Sequence, residues 1–333
     1  MDKQESNIDF LAIGDIVTDA FIRLKDANVH CRVDNKECEL CVRFGDKVPY
    51  EEVTVIPAVG NSANAAVSAS RLGLRSALVA NIGDDDEGKE CLEWLKKDNV
   101  LIDYITTEAG KKTNYHYVLL YDVDRTILIK HTAFEYKMPD IKNVSWIYLS
   151  SLSENSLPYH AEVASYLEKN PSTKLAFQPG TFQIKLGTEK LKDIYAKTEL
   201  FFCNLEEAQK ILNNDSKDIK VLSEGIKALG PKIVVISDGP NGAYLYVDSE
   251  VWHNPIYPDI APPTDRTGAG DAFASTFTSA IALGKTPLEA FALGPINSMS
   301  VVQYIGAQKG LLQKEKLEYY LNNAPADYKV TKI

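Results

Sequence analysis

Short apolar runs alternate with amphipathic stretches through most of this chain. Residues 8–13 form an apolar run ending in Gly14-Asp15, and residues 76–82 form another, followed by Gly83 and a helical pattern over 87–97. Farther along, residues 146–149, 174–177, 200–203 and 233–236 are near-continuous apolar runs. Helical patterns at 161–169, 189–196 and 206–229 lie between them, the last broken at Asn213-Asn214. Apolar runs without alternation are strands buried on both faces, and such strands joined by helices make a parallel sheet. The pattern predicts an α/β fold, a doubly wound and mostly parallel sheet flanked by helices. Two stretches break the rhythm. Residues 21–55 and 113–131 are rich in β-branched and aromatic residues with polar alternation, as in Tyr115-His116-Tyr117-Val118-Leu119, and have no helical pattern of their own. They read as strands, either extending the main sheet or standing apart from it.

Composition changes this picture little. The 333 residues are 45% hydrophobic and 25% charged, enough for a large core in one or two units. A net charge of −10 with no basic stripe argues against nucleic acid as a partner. No apolar run is long enough to cross a bilayer, and residues 1–9 are polar and unlike a signal peptide, so a cytoplasmic protein is expected, with no membrane partner. Five cysteines in a chain of this size do not suggest a disulfide framework. Cys31, Cys38 and Cys41 with His30 raise structural zinc as a minor alternative to ordinary thiols. The other histidines, His116, His131, His160 and His253, show no metal spacing.

The most informative stretch is Asp265-Arg266-Thr267-Gly268-Ala269-Gly270-Asp271, which leads directly into an apolar helical run over 272–283. Pro262 and Pro263 stop regular structure before it, and Gly284 and Pro287 close the helix behind it. A Gly-Ala-Gly turn opening a helix leaves backbone N–H groups uncapped, with the helix dipole adding positive character. That is an anion site, and phosphate is the usual anion. Asp271 cannot itself bind phosphate, since like charges repel. Its chemical use there is to take a proton from a hydroxyl that attacks the phosphate. A plain helix N-terminus with an acidic first turn is the competing reading. No Walker-type loop is present, because Gly110-Lys111-Lys112-Thr113 lacks the earlier glycine.

The same heptapeptide resembles the D-T-x-G-A-G-D signature of the ribokinase family (PfkB family of carbohydrate and nucleoside kinases), with Arg266 where Thr is usual. Further segments match in the family's order. Gly60-Asn61-Ser62-Ala63-Asn64 resembles G-G-x-x-N, Asn204-Leu205-Glu206-Glu207 matches N-x-x-E, and Asp238 to Ala243 matches D-G-x-x-G-A. Gly306-Ala307-Gln308 is similar to the late G-A-Q. The likeness spans roughly residues 8–325. It implies a ribokinase-like domain over 1–333, with segments near 16–58 and 112–136 forming a small β lid that also offers a homodimer contact.

The resemblance further implies roles for individual residues. Asp271 is the base, and the amides of Gly268, Ala269 and Gly270 form the anion hole. Asp19, Gly60, Asn61 and Asn64 bind the acceptor, although Asn61 stands where a second glycine is usual and would equally serve, with Ser62, as a helix cap. Asn204, Ser237, Asp238, Gly239 and Gly242 fall on the ATP side, with Asn297 a weaker choice for the adenine edge. Glu207 orders the water shell of Mg2+, unless Asn204 and Glu207 merely cap a helix. Asp265 and Thr267 match a K+ site that lacks one oxygen here, Gly310 standing where the family has serine, so modest potassium activation is expected. The expected activity is phosphoryl transfer from ATP to a small sugar, with a nucleoside as the alternative acceptor. A nucleotide sensor without turnover is the reading from another class.

Overall fold

The computed structural model describes residues 7–31, 38–121 and 124–333, and the statements below concern these residues. In chain order the strands are β1 (Ile8–Ile13), β2 (Val17–Leu24), β3 (Asn28–Cys31), β4 (Cys38–Cys41), β5 (Tyr50–Val59), β6 (Ser76–Gly83), β7 (Ile105–Glu108) and β8 (Asn114–Tyr121). They continue with β9 (Asp124–Leu128), β10 (Val144–Leu149), β11 (Lys174–Phe177), β12 (Thr198–Asn204), β13 (Ile233–Ser237), β14 (Ala243–Val247), β15 (Glu250–Asn254) and β16 (Thr331–Lys332). The helices are α1 (Asn61–Arg71), α2 (Asp86–Lys97), α3 (Leu157–Lys169), α4 (Thr181–Leu186) and α5 (Lys192–Lys197). The later ones are α6 (Leu205–Leu212), α7 (Ile219–Ala228), α8 (Ala269–Ala282), α9 (Pro287–Val301) and α10 (Lys314–Asn322).

Each unalternating run is a strand of one ten-stranded sheet, ordered β16-β15-β14-β13-β12-β11-β10-β1-β6-β7. From β7 to β13 the strands are parallel, and β14 to β16 add an antiparallel edge. Neighbouring residues of each central strand serve opposite cores. Phe10 and Ala12 pack with Ala66 of α1, Phe277 of α8 and Phe291 of α9. Leu11 and Ile13 pack with Val163 of α3, Ile194 of α5 and Leu222 of α7. Burial on both faces is why these segments carry no alternation. The helical pattern over 206–229 is two helices. Asn213 turns left-handed at φ 47° and closes α6, and Asp218 caps α7 by accepting from Lys220 N and Val221 N.

The two helix-free stretches form a separate four-stranded sheet, β5-β2-β8-β9, and a hairpin of β3 and β4. The expected lid segments also take in residues 32–37 and 122–123, which lie outside the described residues, as do residues 1–6. On one face of this sheet Phe21, Val118 and Leu120 are buried against Ile56 and Ile305. On the other, Val55, Ala20, Tyr117 and Leu128 lie in one cross-strand row, of which Val55, Tyr117 and Leu128 are exposed.

Cys31 and Cys38 oppose each other across β3 and β4 and are joined as a disulfide. This corrects the reading of both as ordinary thiols and removes two of the four candidate zinc ligands. Cys91 and Cys203 are buried and free. Burial pushes the Cys91 thiol up to about 11. No helix among the described residues is long and apolar enough to cross a membrane.

Candidate active site

Polar residues follow one another along the C-terminal ends of the parallel strands. Asp15 comes after β1, Gln178 after β11 and Asp238 after β13, while Asn204 ends β12. This edge is where open α/β sheets bind ligands. The N-terminus of α8 belongs to the same site, through a contact of Gln178 with Asp271. Gly268 precedes α8 with φ 81°, and a Cβ on it would come 2.3 Å from Ala307 Cβ. Both conformation and space demand glycine there. No side chain caps the helix, so its first-turn amides have no acceptor within the helix and stand ready for an anion.

Asp271 lies in that first turn and is 8% exposed. Its Oδ1 accepts from Asn61 Nδ2 at 2.8 Å and Gln178 Nε2 at 3.2 Å, and its Oδ2 accepts from Asn64 Nδ2 at 2.8 Å. Burial raises the carboxyl above the ordinary aspartate range, while Asn64, Asn61, Gln178 and the Arg125 charge pull the other way. A half-solvated aspartate is a feeble base. One lifted by burial and held by amide donors is better matched to accepting a proton.

The amides around Asp271 are themselves fixed. Trp94 Nε1 donates to Gln308 Oε1 at 2.9 Å, so Gln308 Nε2 faces the other way. It donates to Ala58 O at 2.7 Å and to Asn64 Oδ1 at 3.1 Å, leaving Asn64 Nδ2 for Asp271. Tyr148 Oη donates to Gln178 Oε1 and in the same way turns the Gln178 amide nitrogen toward Asp271. An indole N–H and a phenol that burial keeps well above its ordinary range end these chains, so neither amide can flip freely. Arg71 anchors the loop carrying Gln308, donating to Gln308 O at 2.7 Å and Leu311 O at 3.0 Å while pairing with Asp98.

Several sequence expectations are placed by this geometry. Asn61 begins α1 without capping it, and its side chain goes to Asp271. Gly60 has φ 111°, and a Cβ on it would come 2.7 Å from Asp15 O. Asn204, Ser237, Asp238, Gly239 and Gly242 line one cavity of about 700 Å³ together with Gly270. Asn204 and Glu207 form a reciprocal cap, with Glu207 Oε2 accepting from Asn204 N and Asn204 Oδ1 from Glu207 N, both at 2.8 Å. Burial raises the Glu207 carboxyl, and the charge of Asp271 adds to the rise.

One expectation needs correction. Asn297 is fully buried, donating to Thr276 Oγ1 and accepting from Leu312 N, so it ties α9 to α8 and does not line the cavity. Its neighbours Pro295, Ser298 and Met299 do. The Asp265 carboxylate is committed within the protein. Its Oδ1 accepts from Thr267 N and Oγ1, and its Oδ2 accepts from Gly306 N. A Cβ on Gly310 would come 2.4 Å from Ser300 O, so a serine ligand has no room there.

Residues that sequence reasoning passed over also converge here. Gln178, Asp15 and Tyr148 escaped notice, although Asp15 and Gln178 both follow strand ends and could have been sought there. His116 and His131 looked scattered, yet their rings lie 5.2 Å apart beside Asp19 and Asp15.

Comparison with known proteins bears on what this arrangement is. The model of the pfkB family of carbohydrate kinases matches residues 28–314. The chain belongs to the pfkB family. Like its relatives, it is a kinase for a sugar or a nucleoside. Among curated relatives, an uncharacterized sugar kinase of Archaeoglobus fulgidus is 26% identical over 250 residues, covering 73% of this chain and 97% of its own length. A nucleoside kinase of Methanothermobacter thermautotrophicus is 27% identical over 232 residues, covering 68% of this chain and 72% of its own. Among solved structures, ribokinase of Arabidopsis thaliana, complexed with ribose and ATP, superposes with a TM-score of 0.79 at 19% identity, covering 95% of this chain and 99% of its own. The pfkB chain therefore has the ribokinase-like fold.

Proposed function

We propose that this pfkB kinase transfers the γ-phosphoryl group of ATP to a hydroxyl of a small sugar, acting in the cytoplasm. The observation that carries the reading is Asp271, buried in the first turn of an uncapped helix and held by three side-chain amides. The acceptor hydroxyl gives its proton to the Asp271 carboxylate as its oxygen bonds to the γ-phosphorus. The bond from that phosphorus to the bridging oxygen breaks, and ADP leaves. Amides at Gly268, Ala269 and Gly270 hold the charge that grows on the transferred group. ATP would occupy the cavity lined by Asn204, Asp238 and Gly242, with Pro295 and Met299 toward its base.

The donor set fits hydrated Mg2+. Glu207 and Asp271 are carboxylates within electrostatic reach of each other beside the anion turn, and Mg2+ prefers oxygen ligands and retained waters. When bound, the ion neutralises phosphate charge. Glu207 would hold it through water, since one of its oxygens already serves the Asn204 cap.

The four-stranded sheet would close over the acceptor and exclude water, which otherwise competes for the phosphoryl group. Its exposed row of Val55, Tyr117 and Leu128 would be the homodimer contact. A nucleoside acceptor is the second reading, favoured by the nucleoside kinase relative. A coupled ADP-release assay over sugars and nucleosides with MgATP tests the proposal. Turnover that depends on a sugar is expected. Turnover on nucleosides alone would replace the acceptor, and binding of ATP without turnover would reduce the protein to a sensor.

A further inference from the structure

We propose that His116 and His131, each set against an aspartate, form the specificity wall of the acceptor pocket and select a neutral polyol presenting neighbouring hydroxyls. This rests on the sugar-kinase reading above.

Asp19 and His116 are partners in the parallel register of β2 and β8 and so project from the same face. It is the buried face, since Phe21 and Val118 lie two residues further along the same strands. His116 Nδ1 stands 3.4 Å from Asp19 Oδ1. His131 lies just beyond β9, on a segment held by Thr132 N donating to Asn114 Oδ1 and Thr132 Oγ1 donating to Lys112 O, both at 2.7 Å. Its Nδ1 stands 3.2 Å from Asp15 Oδ2, and its ring meets Phe182 edge-on at 5.5 Å. Asp15 Oδ1 is already taken by Tyr136 Oη at 2.7 Å. The wall adjoins the base, because the Asp15 backbone carbonyl lies where a Cβ on Gly60 would stand and the next residue, Asn61, donates to Asp271.

Asp15 and Asp19 are 7% and 9% exposed. Asp15 Oδ2, Asp19 Oδ1, His116 Nε2 and His131 Nδ1 are buried, and none makes an aligned hydrogen bond among the described residues, the two histidine–aspartate approaches being ion-pair contacts only. Leaving one such atom unpartnered is costly, and native proteins rarely gather several in one place without a use. The occupant is defined by what would satisfy them. Two carboxylate oxygens require donors, and the imidazole nitrogens require a group that can both donate and accept. A hydroxyl does both, and hydroxyls on adjacent carbons can serve a carboxylate and an imidazole together. A phosphorylated or carboxylated acceptor would place its charge among Asp15, Asp19 and Asp271. Each imidazole faces its own carboxylate, and no group of these side chains among the described residues has the geometry to hold a metal ion.

The test is steady-state ADP release with MgATP over a panel of neutral aldoses, ketoses and alditols, their single-deoxy analogues, sugar phosphates and nucleosides. Wild type should prefer an unphosphorylated polyol, and the deoxy analogue lacking the matched hydroxyl should lose roughly ten- to a hundredfold in kcat/KM. His116→Ala and His131→Ala should raise the acceptor KM by a similar factor and erase most of that discrimination, with the KM for ATP within about twofold of wild type. Should either variant fail to fold, His116→Gln and His131→Gln carry the test, since glutamine keeps a donor and should lose only part of the discrimination. Discrimination unchanged in the variants, or a preference for a phosphorylated acceptor, overturns the inference while leaving the sugar-kinase reading intact. No polyol-dependent turnover in wild type overturns both.

Discussion

Replacing Asp271 by asparagine separates the chemistry at this position from its structural part. Asparagine keeps the shape but cannot take the acceptor's proton, so kcat should fall by roughly two to four orders of magnitude, which is about 3–5 kcal/mol of barrier. The stability change has two opposing contributions. Asp271 accepts three amide hydrogen bonds, and an asparagine must turn its own NH2 toward one of those donors. Asn64 cannot relieve the clash by flipping, because that would set its amide nitrogen against Gln308 Nε2, itself fixed by Trp94 Nε1 and Ala58 O. One unsatisfied buried contact costs about 1–3 kcal/mol. Against this, the variant no longer buries a carboxylate whose charge is disfavoured there. The two are of the same order, so Tm should move by only a few degrees. Their signs separate in a pH series. A carboxyl raised in the folded state binds more protons folded than unfolded, so wild type loses stability as pH rises from the ordinary aspartate value of 3.8 through the raised folded value. The variant lacks that increment of loss and should gain on wild type across that window. ADP release at saturating acceptor and melting on the same preparation give both readings. Near-normal turnover in Asp271→Asn would refute the assignment of the base.

Other substitutions test the surrounding structure. Gln308→Leu removes the acceptor of Trp94 and the group that orients Asn64; kcat should fall several-fold with the KM for ATP unchanged, and chemical denaturation should show a loss of about 1–3 kcal/mol. Arg266 lines the cavity proposed for ATP, so Arg266→Thr should raise the KM for ATP several-fold and leave that for the acceptor alone, as initial rates at varied ATP will show. Because the Asp265 carboxylate already accepts three hydrogen bonds from Thr267 and Gly306 and Gly310 offers no side-chain oxygen, replacing potassium by tetramethylammonium should change the rate by less than about twofold; a tenfold drop would mean that the remaining oxygens suffice for the cation.

The chain's own pattern determined the central sheet and the helices around it, because strands buried on both faces must be apolar throughout and the turns between them need glycine, proline or asparagine. It determined the anion turn too, since the Gly268-Ala269-Gly270 geometry is local and the residues that permit it are adjacent in sequence. The separate sheet was half legible. Its strands showed in the alternation of 113–131, but whether they joined the main sheet depended on pairing partners such as Asp19 with His116, almost a hundred residues apart. Capping and catalysis use the same residue types, so sequence left Asn61 and Asn204 open. The fold sent Asn61 to Asp271 and Asn204 to a cap that also borders the cavity. Asn297 looked available because a helix pattern shows which residues are polar, not which side-chain acceptor on a neighbouring helix will claim them. The relays from Trp94 and Tyr148, and the pairing of the two histidines with two aspartates, were invisible for the same reason. A hydrogen bond between residues far apart in the chain leaves no periodicity behind, and only the closing of the tertiary structure brings donor and acceptor within 3 Å or so of each other.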